Sequence, residues 1–203
     1  MDDETRPPRT EAVLLNLQHR IKNLVSVIRS VARRTAEGSA DVETFQARFD
    51  GRLAALTRTY SAMARTTSGQ IDLEELLRDA LIDAAPGADV WTLDGPRVAL
   101  SGPLAETLAL IAHELAMEAS LAGLATQPDG RLDIRWRVEH GRLALDWREG
   151  GLAGRAASSD RAFVEELLFQ ALPYQFNGLG TLETGAEGLI CRIEAPLPDA
   201  PSP

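Results

Sequence analysis

His19-Arg20-Ile21-Lys22-Asn23 is the stretch on which the reading of this chain turns. Around it Leu14, Leu17, Ile21, Leu24, Ile28 and Val31 recur at alternating spacings of three and four, the pattern of a helix with one face in a bundle seam. His19 stands two residues from both Leu17 and Ile21, so at about 100° per residue it points well away from that stripe. Lys22 and Asn23 lie three and four positions later and share its side of the helix. Lys22 is the only lysine in 203 residues. Two readings are open here: an ordinary surface histidine beside a basic patch, or a nucleophile whose product is a phosphoramidate. An exposed imidazole near its ordinary pKa of about 6.5 is largely neutral at pH 7, with one ring nitrogen free to attack. Arg20 and Lys22 stand where they could stabilise charge on transferred oxygens. Asn23 could orient the ring or a phosphoryl oxygen, though an exposed amide of no special role explains it equally well. A partner contact explains Lys22 nearly as well as catalysis does.

Outward from this motif, the periodicity predicts a first helix over 10–36 and a second reaching 64. Between them Gly38 can end one helix, and Ser39 or Asp41 can cap the next. The second stripe is Phe45, Phe49, Leu53, Leu56, Tyr60 and Met63. A hairpin of two such helices buries little core alone, which predicts a homodimer closing a four-helix bundle. Packing on the chain's own C-terminal part is the other solution. Residues 66–70 read as a linker. Beyond it Asp72 can cap a helix over 73–84, closed by Pro86-Gly87, and strands are expected near 89–93 and 97–100. Pro103 suits the first turn of a helix over 104–121. Alternating residues over 131–138 and 142–148 flank Glu139-His140-Gly141 and read as a β-hairpin. A helix near 160–171 and strands near 180–184 and 188–194 complete the pattern. The fold class is α+β, with a helical hairpin over 10–68 and, over 69–196, an α/β sandwich with helices on one face of a mixed sheet.

Composition narrows the setting. Residues 1–68 carry eleven Lys or Arg against eight Asp or Glu, a net +3, whereas 69–203 carry ten against twenty-two, a net −12. Basic helices of this kind attract an acidic protein partner; the overall charge of −9 disfavours nucleic acid. Cys191 stands alone, so there is no intrachain disulfide or multi-cysteine metal site, which suits a reducing compartment. The acidic, proline-bearing start is no signal peptide, and no apolar run approaches the roughly 20 residues that span a bilayer. The expectation is a cytoplasmic protein without a membrane anchor and, since the hairpin begins near residue 10, without an N-terminal sensor domain. Residues 1–9 and the tail from Pro196 are expected to be disordered.

The order of motifs carries a resemblance. His19-Arg20-Ile21-Lys22-Asn23 in a helical hairpin, His113-Glu114-Leu115-Ala116 on a later helix, then Trp136-Arg137-Val138 and Trp147-Arg148-Glu149 on consecutive strands resemble sensor histidine kinases of the HWE/HisKA_2 type over residues 10–196. The resemblance implies a dimerising hairpin that carries a phosphoacceptor histidine. It also implies a GHKL-type domain that binds ATP and Mg²⁺, and transfer of the phosphoryl group to an aspartate on a response-regulator receiver domain. By position His19 is the phosphoacceptor, with Arg20, Lys22 and Asn23 its signature neighbours. His113, Glu114, Glu118 and Glu149 fall at ATP-site positions. Without the resemblance, His113 and Glu114 read as a helix residue packed on the sheet and a satisfied carboxylate, and Trp136 and Trp147 as core of the sheet.

Four departures from the family pattern bear on function. Where the family has a Thr-Asn-Ala stretch whose asparagine helps hold Mg²⁺ against phosphates, this chain has Met117-Glu118-Ala119. A carboxylate can ligate Mg²⁺, but beside a triphosphate it adds repulsion and lacks the amide donor. Leu121 stands where a basic residue is typical. No glycine occurs over 155–177, where a Gly-Phe-Gly motif usually opens a helix and its lid closes over the phosphates; Asp160 to Glu166 stand there instead. Arg148-Glu149-Gly150-Gly151-Leu152 is one residue shorter than usual. The expectation is therefore a GHKL fold kept as scaffold with ATP binding lost or nearly lost. It extends to no metal or cofactor held by this chain, Mg²⁺ being supplied by the receiver. The function expected is a histidine phosphotransferase relaying a phosphoryl group between His19 and receiver aspartates, fed by a hybrid or separate upstream histidine kinase. Val25, Ser26, Arg29 and Arg33 would form its docking face. The alternatives are an active minimal kinase and a non-catalytic pseudokinase that binds a response regulator.

Overall fold

The computed structural model describes residues 9–84, 90–152 and 161–197; the side chains of 9–17, 19, 20, 23 and 83 are not among those described. Helices α1 (Arg9–Glu37) and α2 (Val42–Arg65) are joined by a turn whose chemistry fixes both ends. Gly38 donates its amide to the Arg34 carbonyl, and the Arg48 guanidinium reaches back to the Gly38 carbonyl at 2.6 Å. Of the two candidate caps it is Asp41 that serves α2, accepting the Thr44 amide at 2.6 Å. That hydrogen bond holds the Asp41 carboxyl below the ordinary carboxylate range. Ser39 instead turns back onto α1, donating to the Thr35 carbonyl. Along the α1 stripe Val31 is buried and Leu24 and Ile28 are half-buried, but Ile21 is 52% exposed.

The chain divides into two compact units, residues 1–50 and 51–203. The division falls inside α2, so the second half of that helix belongs with the sheet, and the stretch read as a linker lies within the second unit. There Thr66 closes a turn, its hydroxyl donating to the Gln70 carbonyl and accepting the Gln70 amide. Strand β1 (Gln70–Asp72), absent from the sequence reading, pairs antiparallel with β3 (Ala99–Ser101). Three residues are too few for a periodic pattern to register. Asp72 then caps α3 (Leu73–Ala84), accepting the Glu74 amide at 3.0 Å.

The main sheet runs β2 (Trp91–Asp94), β4 (Arg131–Glu139), β5 (Arg142–Gly150), β7 (Leu189–Pro196) and β6 (Leu179–Thr184). Only β2–β4 is parallel, so the sheet is mixed. Leu132, Ile134 and Trp136 alternate inward on β4; Leu143, Leu145 and Trp147 do so on β5, and Leu189, Cys191, Ile193 and Ala195 on β7. Register stacks them: Ile134 faces Trp147, which faces Cys191. The β4–β5 turn is His140-Gly141, both at positive φ, the two-residue geometry that matches strand twist. These inward residues join α3, α4 (Gly102–Leu121) and the last helical segment in one apolar core, giving an α+β unit with its helices on one face of the sheet.

The last helical segment is longer than the sequence suggested. It comprises α5 (Ala162–Glu166), a π-helical turn over Leu167–Ala171, and α6 (Leu172–Phe176). Pro173 lacks the amide an α-helix would aim at the Phe169 carbonyl, and a wider turn precedes it. Asn177, in left-handed conformation, ends the segment, with Gly178 donating to the Leu172 carbonyl. Pro196, expected to open a disordered tail, instead ends β7 opposite Arg142, and the Leu197 amide donates to the Gly141 carbonyl, because pairing with β5 reaches that far. Arg9 likewise begins α1, while residues 1–8 and 198–203, the Pro86-Gly87 helix stop and Asp160 lie outside the described residues.

Candidate functional site

The first set of site residues sits on α1, in the first unit. Helix α1 runs unbroken through His19-Arg20-Ile21-Lys22-Asn23. Lys22 is exposed; the side chains of His19, Arg20 and Asn23 lie outside the described residues. Val25, Ser26, Arg29 and Arg33, at spacings that follow one side of the helix, are all exposed.

The second set sits on α4 and the strand ends of the second unit. Ser101 precedes the helix in extended conformation and Pro103 occupies its first turn. Thirteen of its residues are buried, Glu106 and Glu118 among them. Three carboxylates along this helix each meet a partner from another element. Glu106 accepts the Tyr60 hydroxyl at 2.6 Å. Glu114 is gripped at both oxygens by Arg52, at 2.8 and 2.7 Å, the fork geometry in which arginine binds a carboxylate most tightly. Glu118 accepts from Arg161 Nε at 3.0 Å. Partners eight apart on α2 (Arg52, Tyr60) meet acceptors eight apart on α4 in reverse order, so these two stretches run antiparallel. His113 packs against Gly51, where an added Cβ would come within 3.0 Å of its Nε2; this accounts for a glycine inside α2, where it costs helix stability.

Arg52 and Arg161 converge on one short segment. The Arg52 guanidinium lies over the Phe163 ring, 3.7 Å from its centroid. Arg161, two residues earlier and 8% exposed, donates from Nη1 to the Thr184 hydroxyl at 2.5 Å. Thr184 pairs with Leu189 across the β6–β7 ladder, and the Leu189 amide donates to Glu149 at 3.2 Å. Glu149 also accepts, at 3.4 Å, from the Trp147 indole. The structure thus brings Glu114, Glu118 and Glu149 around the adjoining ends of α4, α5, β5, β6 and β7, each with an internal donor. A carboxylate held as Glu118 is offers no amide donor, and its charge is already balanced by a cation.

Sequence reasoning singled out Glu114, Glu118 and Glu149 but not Arg52 or Thr184, and it took Arg161 and Phe163 only as part of a glycine-poor stretch. The glycine inside the second helix stripe was the one available sign that something packs closely there. Elsewhere, a groove of about 530 Å³ on the outer face of the sheet is lined by Asp94, Asp133, Arg135, Arg137, Asp146 and Arg148. It is mixed in charge and knitted by ion pairs from Asp146 to Arg137, Arg148 and Arg192.

A mixed five-stranded sheet with helices on one face, preceded by a helical hairpin that carries a histidine motif, is the architecture of a GHKL-like histidine-kinase fold. Residues 16–97 match the HWE histidine kinase family model. A blue-light-activated histidine kinase of Rhizobium johnstonii is 28% identical over 91% of this chain and 53% of its own length. One of Brucella anthropi is 24% identical over 96% of this chain and 42% of its own. Among solved structures, the Erythrobacter litoralis EL346 blue-light activated histidine kinase superposes with a TM-score of 0.63 at 19% identity, covering 97% of this chain and 63% of that one. The chain spans about half the length of the curated relatives it matches. The chain is thus similar, over most of its length, to histidine kinases of the HWE type. Among the described residues no helix is long and apolar enough to cross a membrane.

Proposed function

We propose that this chain acts in two-component signalling as a histidine phosphotransferase, with His19 exchanging a phosphoryl group with receiver-domain aspartates. One observation carries the reading. The chain joins an intact His-Arg-Ile-Lys-Asn helix to a GHKL-type unit whose asparagine-like position holds a carboxylate, Glu118, already paired with Arg161. A Mg²⁺–triphosphate does not fit that arrangement: the donor is missing and the cation position is taken. No step is therefore routed through a nucleotide on this chain.

In the transfer, a lone pair on the His19 ring attacks the phosphorus of a receiver aspartyl phosphate. The P–N bond forms as the P–O bond breaks. The receiver carboxylate leaves with the electron pair, and the imidazolium so formed can release its remaining N–H proton to solvent. The second transfer is the reverse, onto another receiver's aspartate. Each receiver brings its own Mg²⁺, so this chain supplies position and charge. Val25 and Ser26, with Arg29 and Arg33 beyond them, give an apolar and basic track suited to an acidic receiver edge. Ile21 and Val25, about half exposed in the single chain, support a homodimer formed through the hairpin.

A second reading, an active minimal kinase, is favoured by the relatives, which are named histidine kinases, and by the retained Trp147-Arg148-Glu149. The test is to charge receivers from the same genome with acetyl phosphate and mix them with the protein and its His19→Ala variant. Acid-labile phosphate arriving on the wild type alone supports the phosphotransferase. No transfer from any receiver refutes it.

A further inference from the structure

We propose that Arg161 is a built-in counter-cation closing a latent nucleotide–metal site, and that neutralising Arg161 and Glu118 together reopens it. The inference rests on the reading above, in which no nucleotide feeds His19. It goes further by naming the group that shuts the site and the change that unlocks it.

Arg161 is 8% and Glu118 9% exposed, so both charges are withdrawn from water. Arginine stays protonated, and its five N–H donors all seek acceptors. Here Nε has Glu118 and Nη1 has Thr184, but Nη2 is buried with no acceptor among the described residues. The position of the guanidinium is imposed by its neighbours. Phe163, two residues on, is buried beneath Arg52, and Arg52 is fixed by both oxygens of Glu114, one helical turn before Glu118. Helix α4 thus presents two carboxylates a turn apart, each neutralised by an arginine from another element. The 161–163 segment is pinned at both ends of that contact. The guanidinium then stands between a carboxylate and a hydroxyl, the place that the proposal gives to a cation and a phosphate oxygen once both charges are removed.

Neither charge can go alone. Arg161→Ala takes the guanidinium from a buried carboxylate, and Glu118→Asn takes the carboxylate from a buried guanidinium. The double variant Glu118→Asn/Arg161→Ala removes both charges, opens the side-chain volume, and supplies an amide at the asparagine-like position.

Isothermal titration calorimetry with Mg²⁺–ADP and with a non-hydrolysable Mg²⁺–ATP analogue tests the proposal on the full chain. Circular dichroism first establishes that each protein is folded. The expected result is no saturable binding by the wild type at millimolar nucleotide, and binding by the double variant at least ten-fold tighter than that limit. If the double variant proves unfolded, Glu118→Gln/Arg161→Gln, of nearly unchanged volume, takes its place with the same expectation. Folded double variants that still bind nothing overturn the inference and leave the phosphotransferase reading standing. Saturable binding by the wild type overturns both.

Discussion

Arg52 is the residue whose removal most sharply probes the packing of the second unit. Its guanidinium is 3% exposed, its partner Glu114 15%, and the two share a bidentate contact at 2.8 and 2.7 Å. Arg52→Met keeps the apolar stem but abandons the Glu114 charge in a poorly hydrated place. Breaking a buried pair from one side costs about 3–5 kcal/mol. The residual exposure of Glu114 puts this case near the lower end, and losing the stack on Phe163 adds about 1 kcal/mol. A loss of about 4 kcal/mol, with a urea slope of about 2 kcal/mol per molar, lowers the midpoint by about 2 M. Trp91, Trp136 and Trp147 all lie in the second unit, so tryptophan fluorescence reports its unfolding. Arg52→Met/Glu114→Leu leaves no stranded charge and should recover to within about 1 kcal/mol of wild type. A single variant costing less than about 1 kcal/mol, or a double variant costing the sum of the singles, refutes the reasoning.

Other expectations follow from single contacts. Gly95→Ala would place a Cβ 2.4 Å from ring carbons of Trp136, whose indole also donates to the Pro96 carbonyl; backbone and ring must separate, and urea melts should show a loss of about 1–3 kcal/mol. Burial pushes the Cys191 thiol up to about 12, so a thiol reagent at pH 8 should react only after unfolding, and rapid reaction in native buffer contradicts that placement. Asp41 has its pKa depressed by the Thr44 amide. Its cap therefore contributes fully above an ordinary carboxyl pKa of about 3.9 and is lost as pH falls through the lower, folded value. Asp41→Ala should lower the melting temperature at pH 7, and the difference should vanish in strong acid; a difference that persists there contradicts the cap.

The fold was legible wherever one face of an element is buried and the other wet. The alternation of Leu132, Ile134 and Trp136 on β4 and of Leu143, Leu145 and Trp147 on β5, with His140-Gly141 between them, located a hairpin almost to the residue. The histidine motif was legible because its spacing and its helix coincide. What sequence could not supply were pairings across long separations. Arg52 and Glu114 lie 62 residues apart, and Arg161 and Glu118 43; no local pattern links such partners. The exposure of Ile21, inside an apolar stripe, escaped for the same reason: periodicity says which residues share a side, not what covers it.

Two labelling experiments run side by side test the central claim most directly. In one, the protein and its His19→Ala variant meet Mg²⁺ and γ-labelled ATP alone; in the other, they meet a receiver domain carrying labelled aspartyl phosphate. The account predicts label on wild-type protein from the receiver, none from ATP, and none on the variant from either. Label arriving on His19 directly from ATP contradicts it and makes the chain a kinase.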